Sequence, residues 1–132
     1  MANTSIVQEM YAAFGQGDVP AILTHLSPSV EWEYGANESP IPWIQPGRGH
    51  AGAAAFFSSL NALEFHKFVP KTFLETDGIV VALVDLEVTV KATGKQIREE
   101  DEVHIWHFDE NGKVVRFRHR ADTLQHYLAN QP

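Results

Sequence analysis

The sequence predicts an α+β domain, with helices early in the chain followed by a mostly antiparallel meander. Three observations predict it. Apolar residues recur at helical spacing through the first quarter of the chain. Long runs rich in Val, Ile, Phe and Trp fill the second half, separated by turn sequences such as Thr76-Asp77-Gly78 and Asp109-Glu110-Asn111-Gly112. No repeat, linker or low-complexity stretch divides the 132 residues, so residues 1–132 read as a single domain with one core.

Taken in order, Ile6, Val7, Met10, Tyr11 and Phe14 make the apolar stripe of a first helix over 3–14, capped by Asn3, Thr4 or Ser5 and ended by Gly15 and Gly17. Asp18 caps a short second helix with Pro20 in its first turn. Val30 to Tyr34 alternates in period two and reads as a strand. Gly35 to Gly49 is rich in proline and glycine and reads as irregular chain, either a lid over something or a surface loop anchored by Trp43. His50 to Leu63 is a third helix with Ala53, Phe56, Phe57 and Leu60 inward. Glu64 to Leu74 is a strand interrupted near Pro70, Ile79 to Lys91 a long strand, and Gln96 to Asp122 a hairpin; Thr123 to Asn130 is a short terminal helix or tail.

The hairpin concentrates the chemistry. Simple pairing across its turns sets Ala92 opposite Lys95 and Phe108 opposite Lys113. One face then carries Asp85, Glu102 and His119 in a row, next Leu83, His104 and Phe117, then Val81, Trp106 and Val115. That face grades from apolar to polar, as a small-molecule cavity does. The other face carries Asp101 opposite Arg120, aliphatic inner positions and the row Arg116, Arg118 and Arg120, which suits a dimer contact. Glu102 and His119 have a plainer reading as a cross-strand ion pair. His25, His50, His66 and His126 belong to no constellation and read as surface or helix-end histidines.

Composition narrows the partners. A net charge of −7 gives nucleic acid or an anionic membrane nothing to attract. The absence of cysteine removes disulfides, thiolate nucleophiles and Cys-held metals. The N-terminus lacks the regions of a signal peptide and no apolar run reaches spanning length, so a cytoplasmic protein is expected. His104 and His107 point to opposite faces of a strand, and no HExxH pair exists, so no metal is expected; a mixed His104, His119 and Glu102 set is the one conceivable geometry.

Four stretches taken together carry a family likeness. Tyr11-Ala12-Ala13-Phe14-Gly15-Gln16-Gly17-Asp18, Leu26-Ser27-Pro28-Ser29-Val30-Glu31-Trp32, Gly49-His50-Ala51-Gly52 with Phe56-Phe57, and Phe108 through Val115 on to Asp122 resemble, in order and spacing, the SnoaL-like branch of the nuclear-transport-factor-2-like superfamily. The resemblance implies a cone-shaped α+β barrel, with helices packed on a curved sheet that encloses a pocket. It also implies a choice among ketosteroid isomerases, polyketide cyclases, dehydratases, epoxide hydrolases and non-catalytic domains, since this fold hosts many chemistries. Where the isomerases place a tyrosine, a base and a protonated acid, this chain has Met10 beside Tyr11, Tyr34 beside Glu33, and His104. The cyclase pattern fits better, with His104 on one strand and Asp122 at the end of the last. Strict alternation sets Asp122 on the face opposite His104, so its inward placement requires a bulge or strand end near Arg120.

The expectation is therefore a cofactor-independent isomerase, cyclase or dehydratase acting on a small hydrophobic carbonyl compound. His104, Asp122 and Tyr11 are its catalytic candidates. Met10, Phe14, Trp32, Tyr34, Trp43 and Phe57 line the pocket from the helices, first strand and loop. Leu83, Glu102, Trp106, Phe117 and His119 line it from the sheet. The alternative is a non-catalytic domain of the same fold that binds a small ligand or forms a homodimer through a sheet face.

Overall fold

The computed structural model describes residues 2–33 and 38–132. Among these residues four α-helices, α1 (Ala2–Gly15), α2 (Val19–Leu23), α3 (Gly49–Ser59) and α4 (Thr123–Ala129), pack with six strands. The strands are β1 (Leu26–Trp32), β2 (Gly47–Arg48), β3 (Leu63–Thr76), β4 (Ile79–Val90), β5 (Gln96–Phe108) and β6 (Val114–Arg120). They form one sheet in the order β2-β1-β6-β5-β4-β3, antiparallel except where β1 runs parallel to β6. The sheet does not close, so the expected barrel is an open cone. Among the described residues no helix is long and apolar enough to cross a membrane.

Several boundaries differ from the sequence reading. β1 begins at Leu26, ahead of the expected start, and carries Pro28 because β1 meets β6 only at Leu26 and again from Glu31. α3 stops at Ser59, and a single 3₁₀ turn over Leu60–Ala62 leads into β3. β3 runs unbroken through Pro70 because it is the outermost strand, with register shifts beside the proline. The irregular segment before β2 folds inward, burying Ile41 and Trp43. Tyr34 lies outside the described residues.

The largest difference is in the β4–β5 register. Near the turn, Val88 pairs with Ile97 and Leu86 with Glu99; farther along, Val84 pairs with Glu102 and Ala82 with His104. One extra residue of β5 is accommodated between these sets, a β-bulge at Glu100–Asp101 in which Asp101 adopts a φ of 63°. Lys71 holds it from β3, with its Nζ 2.7 Å from Asp101 and 2.9 Å from Asp85, while the Asp101 N–H donates to Asp85. The even-numbered residues of β4 from Val80 to Val90 therefore all face inward, joined by Ile97 and Glu99 before the bulge and by Glu102, His104 and Trp106 after it. Leu83 and Asp85 consequently lie on the outer face, against expectation. On the far side of β5 the register moves by two residues, which preserves the faces: His104 pairs with His119 and Trp106 with Phe117.

The core has two parts. One gathers α1, β1 and the far ends of β5 and β6 around Trp32, Trp106 and Phe117; the other gathers Ile41, Trp43, Leu86, Val88 and Ile97. α3 approaches β2 so closely that a Cβ built on Gly52 would stand 2.9 Å from the carbonyl carbon of Gly47. Gly52→Ala is expected to lower the unfolding free energy by about 1–3 kcal/mol. Gly15→Ala, with nothing within 4 Å of the new methyl group, is expected to be neutral or to stabilise by up to about 1 kcal/mol. Urea unfolding of the two variants checks the contrast.

Candidate functional site

Between the helices and the concave side of the sheet lies a cavity of about 80 Å³. A single water occupies roughly 10–15 Å³ on this measure, so the chamber is compact. Its wall is almost wholly apolar: Met10, Tyr11 and Phe14 from α1, Trp32 from β1, Trp43 from the inward loop, Phe57 from α3, and Trp106 and Phe117 from the sheet. Glu102, His104 and His119 supply polar groups at the positions the strand pattern suggested. Phe56, Phe65, Phe68 and His126 also line it.

The polar residues form one continuous hydrogen-bonded chain. Trp106 Nε1 donates to the Tyr11 hydroxyl oxygen (3.2 Å), and the Tyr11 hydroxyl lies 2.6 Å from His104 Nδ1. His104 Nε2 lies 2.7 Å from Glu102 Oε1. Glu102 and Glu99 share a hydrogen bond between their carboxyl groups. Glu99 also meets His126 Nε2 at 2.7 Å and accepts the Asp122 backbone N–H, and Trp43 Nε1 donates to His126 Nδ1 at 2.8 Å.

Because an indole can only donate, Trp43 fixes the proton order at its end, and the hydrogen bond between the two carboxyl groups carries that order along the chain. Trp43 makes His126 Nδ1 an acceptor, so Nε2 carries the proton and gives it to Glu99. At the other end, Tyr11 accepts from Trp106 and gives its own proton to His104 Nδ1. His104 then donates through Nε2 to Glu102, and Glu102, as a carboxylic acid, donates to Glu99. All donors converge on a single anion.

The titration of these groups agrees. Burial, reinforced by Glu99, pushes the Glu102 carboxyl up to about 10. Burial also opposes ionisation of Glu99, but hydrogen bonds from His126, Glu102 and the Asp122 N–H outweigh it and hold Glu99 down at about 2. Burial, with His119 nearby, pushes the His104 imidazole down to about 3, and burial raises the Tyr11 phenol far above its ordinary value.

A second polar pair sits beside this chain. Glu33, at a strained φ of 48° just past β1, turns its carboxylate inward. It accepts the His119 backbone N–H and lies 2.8 Å from His119 Nδ1, an ion-pair contact that is off the line of a hydrogen bond. His119 Nε2 has no hydrogen-bond partner among the described residues.

Two expectations are corrected here. Asp122 is exposed and outside the cavity: its side chain caps α4 by accepting from the Gln125 N–H, and only its backbone N–H reaches the polar chain. The strand ends at Arg120 without an inward turn. His126, read as a surface or helix-end histidine, does stand in the last turn of α4 but is not on the surface, being 3% exposed. Glu99, Glu33 and His126 were not singled out by the strand and helix patterns. Glu99, Glu102 and His126 are also the group among the described residues whose ligand atoms lie close enough to surround a metal ion, all within 4.8 Å. The proton order argues against that use, since both His126 ring nitrogens are already engaged.

Residues 7–117 match the SnoaL-like domain family. Among solved structures, the chain is similar to an NTF2-like protein of unknown function from Burkholderia pseudomallei, with 28% identity, a TM-score of 0.85, and coverage of 100% of this chain and 99% of that one. It is similar to TerC, co-crystallised with polyporic acid, at 26% identity, a TM-score of 0.81 and 98% coverage of both chains. It shares the fold of a protein provisionally described as a polyketide cyclase from Xanthomonas campestris pv. campestris, at 19% identity, a TM-score of 0.73, and coverage of 97% of this chain and 96% of that one. No curated protein matches the sequence significantly.

The proton order predicts an asymmetry. Glu102→Gln keeps one acceptor and one donor in place and is expected to cost less than about 1 kcal/mol at pH 7. Glu99→Gln removes the anion on which three donors converge and is expected to cost about 2–4 kcal/mol. The pH dependence follows with its sign. Glu102 keeps its proton in the folded state and loses it in the unfolded state above the ordinary carboxyl range. Its contribution is therefore complete at low pH and declines as pH rises toward about 10. His104 acts in the opposite sense, losing stability only as pH falls below about 6.5 toward about 3. Between pH 7 and 9 unfolding free energy should thus fall with pH, by at most about 1.4 kcal/mol per unit from this one proton, and Glu102→Gln should flatten that slope in denaturant titrations.

Proposed function

The chain belongs to the SnoaL-like domain family, and we propose that it is a cofactor-independent acid–base catalyst, of the isomerase, cyclase or dehydratase type, acting on a small apolar carbonyl compound. The observation that carries this reading is His119, whose ring stands between the buried Glu33 carboxylate and the cavity. A histidine whose Nδ1 lies against a carboxylate offers Nε2 as a general base.

In this reading His119 takes a proton from the carbon next to the substrate carbonyl, and Glu33 stabilises the imidazolium that forms. Tyr11 swings its hydroxyl hydrogen from His104 Nδ1 to the developing enolate oxygen while still accepting from Trp106. Neutral His104 positions Tyr11. Return of the proton from the His119 imidazolium to another carbon gives isomerisation; its transfer to a departing β-hydroxyl, which leaves as water, gives dehydration; and attack of the enolate on a second carbonyl, whose oxygen takes that proton, gives cyclisation. Walls of rings and aliphatic chains suit an apolar substrate, and the small volume suits a compact one. TerC, crystallised with polyporic acid, supports a small organic occupant.

A second reading, ligand binding without turnover, is favoured by His104, whose two nitrogens are both satisfied within the protein. Hydrogen–deuterium exchange of cyclohexanone α-protons in D₂O, followed by proton NMR, separates the two. The wild type is expected to exceed buffer catalysis, with His119→Gln losing about 10²-fold or more of the excess and Tyr11→Phe about tenfold. Exchange at the buffer rate for cyclohexanone and a panel of small ketones, together with saturable binding of any of them, would establish the second reading instead.

A further inference from the structure

Each of the three tryptophans contributes to the cavity wall, but their indole N–H groups differ. Trp43 donates to His126 and Trp106 donates to Tyr11. Trp32 is 1% exposed, and its Nε1 has no hydrogen-bond partner among the described residues. Leaving a donor buried and unsatisfied is costly, and native interiors rarely tolerate it without a reason.

The surroundings of Trp32 explain why the protein cannot satisfy it. Its ring is packed by Phe117 at 4.4 Å between centroids, Phe56 and Phe57 at 5.5 Å, and Trp106 at 6.0 Å. None of these side chains carries an acceptor. Nothing described as packed on the ring supplies an acceptor, and the cavity that Trp32 lines is the space from which one can come.

We propose that Trp32 Nε1 is the recognition donor for an uncharged oxygen acceptor on the ligand, a ketone, aldehyde or ester carbonyl, held within the aromatic wall. The charge pattern selects the uncharged form: the Glu33 and Glu99 carboxylates are buried beside the chamber and oppose an anion. The position selects a carbonyl near the reacting end. Trp32 pairs with Phe117 across β1 and β6, and the His119 ring lies two residues farther on, stacked at 6.1 Å from that of Phe117. An oxygen held at Trp32 therefore belongs to the same end of the cavity as His119. This inference rests on the cavity being the ligand site, but not on catalysis.

The test uses a matched pair, acetophenone and ethylbenzene, which share the phenyl ring and carbon chain and differ by the carbonyl oxygen. In the wild type acetophenone is expected to bind about tenfold more tightly by NMR titration, and one of the three indole N–H resonances is expected to move downfield with acetophenone alone. That resonance should be the one missing in Trp32→Phe, and the preference should vanish in that variant. The resonance shift is read in the wild type and does not depend on how well the variant folds. Equal binding of the two compounds, as when a water already satisfies Trp32, overturns the inference and leaves the cavity as a ligand site. A preference that survives in Trp32→Phe, or a shift in the Trp43 or Trp106 resonance instead, also overturns it. Binding of neither compound overturns the inference together with the placement of the site.

Discussion

The bulge at Glu100–Asp101 is the constraint on which the inner surface depends. In a regular strand Glu99 and Glu102 would project to opposite faces, one into the core and one into solvent. The extra residue changes the parity of β5, so that both carboxyl groups enter the same low-dielectric space and compete for one proton. Lys71, Asp85 and Asp101 form a clamp on the outer face that holds the strand in this shape. A surface ion cluster thus sits on the same bulge that brings both carboxyl groups to the inner side of the sheet.

The consequence is a set of polar groups kept largely uncharged inside a hydrophobic chamber. Tyr11, His104, His126 and Glu102 are all neutral, and the one negative charge sits on Glu99, where three donors meet it. Such a network tolerates burial because every member is satisfied. It also joins distant parts of the chain: Tyr11 on α1, Trp43 before β2, the two glutamates and His104 on β5, and His126 on α4. Trp32 and the His119–Glu33 pair stand apart from it; Trp32 and His119 both line the cavity, and Trp32 Nε1 has no hydrogen-bond partner among the described residues.

Much of this was legible in the sequence. Period-two alternation identified Glu102, His104, Trp106, Phe117 and His119 as companions on one face, because a two-residue shift in the β5–β6 turn leaves faces unchanged. Helical spacing identified Met10, Tyr11 and Phe14. The inward side of β4 was not legible, since a bulge has no reliable signature when the residue at positive φ is aspartate rather than glycine; Leu83 was misplaced for that reason. α4 misled through its composition. It exposes Leu124, Tyr127 and Leu128 and buries His126, the reverse of what hydrophobicity indicates, because His126 is bound by Trp43 and Glu99. Asp122 has two adjacent uses open to a carboxylate at a strand end, turning inward or capping the next helix, and the sequence does not rank them.

The outermost strand, β3, has a further bearing on how copies of this protein meet. Fourteen residues of edge would ordinarily offer a long ladder of open backbone groups to any neighbouring chain, with Phe65, Val69 and Leu74 exposed along it. Pro70 deletes a donor from that ladder, and irregularities between Phe65 and Lys67 and between Pro70 and Thr72 break its spacing. Lys67 and Lys71 add charge to the same stretch. A second molecule therefore finds no uninterrupted run to zip onto, and the protein is guarded against strand-by-strand polymerisation despite its greasy border.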